Sequence, residues 1–256
     1  MCDAGEGSIR KFLPDGLEVL QRELDVKTVM GLIERTARWV DPATFHYLPV
    51  WFPEHARGSR FYKSNWSEPA MNRNRQSGVS VPKTESNSYA NKALKQALGL
   101  PSTANSLNWS CCHIWGLDDS RFQVSNVVVQ DHRFFSCVAN MVLLPSPLKA
   151  FTDAMGEVKM LLRVCALHLY NWSCDRSEVA SEAGKIRDWT RWDDYPESWP
   201  RPGRKSLPHG MVTFSAQIKN AADRRKARIS SDLIAAGPHY PRERVREALD
   251  YWNLSL

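Results

Sequence analysis

The chain has 256 residues, of which 43% are hydrophobic and 24% charged, and its 13 Gly and 15 Pro are scattered rather than periodic. That length can bury a core without disulfide or metal staples, and the composition excludes collagen-like, disordered and coiled-coil classes. Lys and Arg number 34 against 28 Asp and Glu, a net charge of +6, which permits a polyanionic partner without requiring one.

No apolar run approaches the roughly 20 residues of a membrane span, and Met1 to Glu6 lack the basic start and apolar stretch of a signal peptide. No membrane partner and a cytoplasmic location are therefore expected. The cysteines Cys2, Cys111, Cys112, Cys137, Cys165 and Cys174 show no CxxC spacing, so reduced thiols are the expectation.

In chain order, Leu17, Leu20 and Leu24 and then Val29, Leu32, Ile33 and Val40 recur at helical spacing. They predict two short helices, ended by Asp41-Pro42. Residues 45–82 have no sustained period and include the polar run Asn72 to Gly78, which reads as a long, partly ordered loop of the kind that is often functional. Lys83 to Leu100 predicts a helix with Ala90, Ala93, Leu94 and Ala97 inward and Gly99 as its stop. Three β-like runs follow, over 110–115, 126–129 and 138–144. A helix is predicted from Lys149 or Thr152 to about Tyr170, with Met155, Val158, Leu162, Cys165 and Leu169 inward and with Arg163 and His168 exposed. The remainder reads as a Pro-rich loop over 193–208, a basic amphipathic helix over 215–235 and a last helix over 241–252.

The chemistry concentrates where strand, loop, strand and helix follow one another. Cys112-His113-Ile114-Trp115 puts one imidazole at the end of a strand, beside a turn signalled by Gly116, Asp118 and Asp119. Asn140 opens the apolar run Met141-Val142-Leu143-Leu144, and Lys149 and Asp153 stand four apart in the helix that follows, near one helical face.

This pattern resembles the HNH nucleases, over about residues 109–165. Their core is a ββα-metal finger with a histidine on the first strand, an asparagine after the loop and a metal ligand on the helix. The resemblance implies an α+β fold: an HNH-type core over 101–175, a mainly helical N-terminal region over 1–100 and a basic C-terminal region over 176–256. It also implies a DNA endonuclease, of restriction or defence type, that hydrolyses phosphodiester bonds. His113 would be the general base, Asn140 would hold the hairpin, and the cofactor would be a divalent metal, Mg²⁺ or Mn²⁺.

Two positions depart from the family pattern. Cys112 replaces the frequent aspartate ligand before the histidine, and Lys149 stands where a second histidine would be. Asp153 is then the expected hard ligand, with Cys112 as a soft one, and Lys149 would offset phosphate charge. The same departures leave room for a catalytically inactive, nucleic-acid-binding finger, and the finger chemistry leaves RNA open as a substrate. Asp131-His132 is a competing site, only eight residues before Asn140.

Between Lys185 and Arg228, eleven basic side chains face five acidic ones, a surplus equal to the whole net charge. Arg224, Arg225, Lys226 and Arg228 are therefore the candidate nucleic-acid contacts. DNA is the expected partner, and a homodimer remains open.

Overall fold

The computed structural model describes residues 16–101, 107–116 and 126–256, a mixed arrangement of helices and small sheets. Cys2, Asp118 and Asp119 lie outside the described residues.

Helices α1 (Gly16–Glu23) and α2 (Val26–Thr36) form where the leucine spacing predicts. Asp25 caps α2 by accepting from the Thr28 amide at 2.7 Å, and Val29, Met30 and Ile33 turn inward. Asp41-Pro42 does not end a helix, as the sequence suggests. Val40 belongs to strand β1 (Trp39–Val40), and Asp41 caps the short helix α3 (Pro42–Tyr47), accepting from Ala43 N at 2.8 Å with proline in the first turn. That is a favoured start, because proline has no N–H to leave unpaired there.

Residues 45–82 carry more order than the expected loop. Strands β2 (Met71–Arg73) and β3 (Ser80–Pro82) pair antiparallel there as a hairpin. Helix α4 (Ser88–Ala97) buries the predicted alanine–leucine stripe, and Gly99 follows it at φ +64°, a left-handed conformation that glycine adopts without strain.

Strand β4 (Trp109–His113) then pairs antiparallel with β5 (Met141–Pro145), Cys112 opposite Val142 and His113 opposite Met141. Helices α5 (Ser146–Ala154) and α6 (Gly156–Tyr170) follow directly. The single helix predicted there breaks at Met155, whose backbone is extended at φ −105°, ψ 103°. The valine run at 127–129 is not a strand. Val128 and Val129 are fully buried in a turn whose Val129 carbonyl accepts from Arg57 N at 2.9 Å, so burial rather than ladder pairing explains those valines.

Helix α7 (Ala180–Arg187), strand β6 (Met211–Val212), α8 (Ala216–Ala235) and α9 (Arg242–Tyr251) complete the order. Ser215 caps α8 by accepting from Ile218 N. Strand β6 pairs parallel with β1, bringing residues 211–212 beside residues 39–40. One core cluster contains Ile33, Leu94, Val142, Cys165, Trp199 and Ala222, so all three sequence segments share it. A smaller cluster of Trp66, Ile229, Tyr240, Val245 and Leu249 lies under α8 and α9. The five described cysteines are buried and none is disulfide-bonded to another. Among the described residues no helix is long and apolar enough to cross a membrane.

Candidate active site

Strand β4 ends where two consecutive side chains leave on opposite faces, as the pleat requires. Cys112 turns toward α5, its Sγ 3.2 Å from Thr152 Oγ1. His113 turns the other way and stacks on Phe135, with ring centroids 5.6 Å apart. Its Nε2 lies 2.9 Å from the Phe135 carbonyl. A carbonyl only accepts, so the neutral imidazole carries its proton on Nε2 and its lone pair on Nδ1. Orientation and tautomer are thus fixed together.

Asn140 does the rest of the fastening. It is fully buried, its Oδ1 accepts from Trp115 N at 2.8 Å and its Nδ2 donates to the Phe134 carbonyl at 3.0 Å. Its own carbonyl accepts from Ile114 N at 2.8 Å. One amide therefore ties the chain just after His113 to the chain just before the Phe135 carbonyl that His113 uses. Arg163 adds a further tie. The sequence suggests an exposed helix position, yet Arg163 is 6% exposed, donates through Nε to the Ile114 carbonyl at 3.0 Å and lies over the Trp115 ring. His168 is half-buried rather than exposed.

The expected metal ligands sit elsewhere than the sequence suggests. Asp153 lies in the last turn of α5 rather than the first, and Cys112, not His113, is the strand residue that meets this helix. Lys149 Nζ is 2.6 Å from Asp153 Oδ2, and Thr152 Oγ1 donates to the Lys149 carbonyl at 2.7 Å. The Cys112 thiol is pushed up by burial, with the nearby Lys159 charge opposing.

A hard divalent ion needs several oxygen donors, whereas this set offers a protonated thiol, a hydroxyl and one carboxylate already neutralised by an ammonium. Among the described residues, no group of three His, Cys, Asp or Glu could hold a metal ion. Cys112, Lys149 and Asp153 as arranged do not fit Mg²⁺ or Mn²⁺. The end of α5 opens on a cleft of about 910 Å³ whose walls include Gly116, Thr152, Asp153, Lys159, Arg163 and Trp189.

Comparison with protein-family models, with curated proteins and with solved structures found no match.

The competing pair is built differently. Asp131 accepts from both Arg133 and Arg176, each at 2.7 Å. Burial alone would raise its carboxyl, but these hydrogen bonds outweigh it and hold it below the usual range. His132 donates through Nδ1 to the Pro53 carbonyl at 2.7 Å, and burial lowers its pKa. Asp131 is thus the centre of an ion-pair cluster rather than a free ligand.

On α8 the four candidate contacts separate. Arg224 is exposed, whereas Lys226 holds its ammonium 4.3 Å from the Tyr47 ring centroid. Arg228 pairs with Asp232 at 2.8 Å. Arg225 corrects the sequence reading. It is 8% exposed, pairs with Glu54 and donates to the Trp51 carbonyl, so its guanidinium is spent inside the protein. The signal was present in the sequence, since Ile218, Ala222, Arg225, Ile229 and Asp232 follow the 4-3-4-3 spacing of one inward stripe.

Proposed function

We propose that this chain is an endonuclease acting on nucleic-acid phosphodiesters, DNA first, with His113 as the general base in a β4–β5–α5 unit. The observation that carries the reading is the coupling of His113 to Asn140. A base needs a lone pair on a defined nitrogen in a defined direction, and here the Phe135 carbonyl fixes the nitrogen while Asn140 holds the preceding Phe134 carbonyl and the strand end together. In this reading His113 takes a proton from the attacking water, and Asn140 and Arg163 act as positioning residues for the hairpin. No step is assigned to a metal.

A second reading is a finger that binds nucleic acid without cutting it. The Lys149–Asp153 ion pair and the 2% exposure of His113 favour it, because both withdraw reactive groups from solvent. Cleavage of duplex DNA, single-stranded DNA and RNA in Mg²⁺, Mn²⁺ and EDTA separates the two. Under the first reading His113→Ala keeps the fold and lowers cleavage by at least about 100-fold. Wild-type chain that binds but never cuts selects the second, and loss of activity in His132→Ala but not in His113→Ala moves the base to His132.

A further inference from the structure

The segment that the sequence marks as a polar loop presents an unbroken exposed surface. Residues 71–84 are all exposed, through two paired strands and the turn between them. The hairpin pairs Met71 with Pro82, Asn72 with Val81 and Arg73 with Ser80. At its tip Asn74 Oδ1 accepts from the Gln76 and Ser77 amides, Asn74 N donates to the Val79 carbonyl at 2.9 Å, and Gly78 takes φ +70°. At its base Phe61 N donates to the Lys83 carbonyl and Glu85 N to the Ser59 carbonyl, which anchors the ribbon to the body. Tip and base are organised, yet neither face of the ribbon packs on anything described.

From these observations we infer that the β2–β3 hairpin is a two-stranded ribbon that enters the major groove of duplex DNA. The inference rests on the nucleic-acid reading above and adds the element that contacts the duplex.

Charge names the class of partner. From Pro69 to Thr84 the sequence holds Arg73, Arg75 and Lys83 and no Asp or Glu. Arg73 and Arg75 have no hydrogen bond or ion pair within the described structure. A charged edge also discourages strand-to-strand aggregation, but charge of either sign serves that purpose, and it does not call for Asn72, Asn74 and Gln76 interleaved with the arginines. Arginine toward guanine, asparagine or glutamine toward adenine, and cations toward phosphates are the side chains that groove contact uses.

Shape narrows the partner to DNA. From Met71 to Arg73 the paired strand spans about 7 Å, at about 3.4 Å per residue, and the turn that carries Arg75 extends the ribbon beyond it. The major groove of B-form DNA is about 12 Å wide and about 8.5 Å deep and admits a two-stranded ribbon, whereas that of A-form RNA is too narrow for side chains to read. Val79 and Val81, both more than half exposed, give the ribbon apolar surface for a thymine methyl.

The test uses the full chain in EDTA, so that binding is read without cleavage. Fluorescence anisotropy with labelled duplexes of about 30 base pairs compares DNA with RNA of the same sequence over a salt series. Wild type should bind duplex DNA more tightly than duplex RNA. The double variant Arg73→Ala/Arg75→Ala should bind DNA at least about tenfold more weakly, with the log–log salt slope reduced by up to about 1.8, the loss of two phosphate contacts. An equal charge removed elsewhere, Arg22→Ala/Lys27→Ala on exposed positions of α1 and α2, should change neither, and thermal melts of all three proteins should coincide. Unchanged affinity and slope in the Arg73/Arg75 variant, with DNA binding intact, overturns the ribbon but leaves the nucleic-acid reading standing. A wild-type preference for duplex RNA also overturns it, and no binding of either duplex overturns the nucleic-acid reading itself.

Discussion

Replacing Asn140 by alanine tests the hairpin directly, because its side chain has two backbone partners and no solvent. Removing the amide strands the Trp115 N–H and the Phe134 carbonyl, and all three residues are fully buried. A buried polar group left without a partner costs about 1–3 kcal/mol, so Asn140→Ala should lose about 2–6 kcal/mol. That is a large fraction of the roughly 5–15 kcal/mol that holds a typical domain together.

Asn140→Asp refines the test. It keeps an acceptor for Trp115 N–H but sets a carboxylate oxygen against the Phe134 carbonyl in a dry interior. It should be at least as damaging as alanine at neutral pH and partly recover as the carboxyl protonates in acid. Urea denaturation gives the energies, and hydrogen exchange at the Trp115 amide gives the location. Cleavage should fall with the loosened hairpin while DNA affinity changes less. Alanine variants within about 0.5 kcal/mol of wild type, with Trp115 still protected, would refute the reasoning. Such a result with activity lost would make Asn140 a substrate contact instead.

Two neighbours on α8 should behave oppositely. Arg225→Ala leaves the 5%-exposed Glu54 without its counter-charge and should destabilise the fold by about 3–5 kcal/mol, whereas exposed Arg224→Ala should stay within about 0.5 kcal/mol of wild type in a thermal melt. Equal stabilities would contradict the inward placement of Arg225. His55, 3% exposed and stacked on Tyr89 at 3.5 Å, has its pKa lowered to about 3, chiefly by burial and then by Arg225. Between about pH 3 and 6.5 the unfolded chain binds a proton there that the folded chain does not, so stability falls as pH drops through that window, in total by on the order of 5 kcal/mol. His55→Phe keeps the stacking surface and should flatten that part of the pH–stability curve. Parallel curves for variant and wild type would refute the assignment.

Much of the local structure was legible because it is decided within a few residues. Ser215 before an apolar stripe and the glycine after α4 are local devices, and they mark α8 and α4 where the structure has them. The strands around Cys112 and Met141 and the helix after Pro145 follow from short apolar runs punctuated by proline. So does the candidate site in outline, since His113 and Asn140 bracket one hairpin. Where two local rules compete the sequence misleads. Asp41-Pro42 both stops and starts helices, and the valines at 127–129 suit a strand or any buried turn.

Tertiary structure decided the questions of charge and reactivity. The four-residue spacing of Lys149 and Asp153, which lets both side chains approach one ligand, equally lets them neutralise each other, and the fold takes the second course. Arg225 and Arg163 read as solvated cations because sequence neighbours cannot reveal Glu54, Trp51 or the Ile114 carbonyl, all distant along the chain. The tautomer of His113 depends on a carbonyl 22 residues away, and backbone acceptors leave no trace in residue type. Composition and periodicity determined which segments become helices and strands and which surfaces are apolar. Only the packing of distant segments determined which charges stay in water, because an ion pair or a buried hydrogen bond is a property of two places in the chain at once.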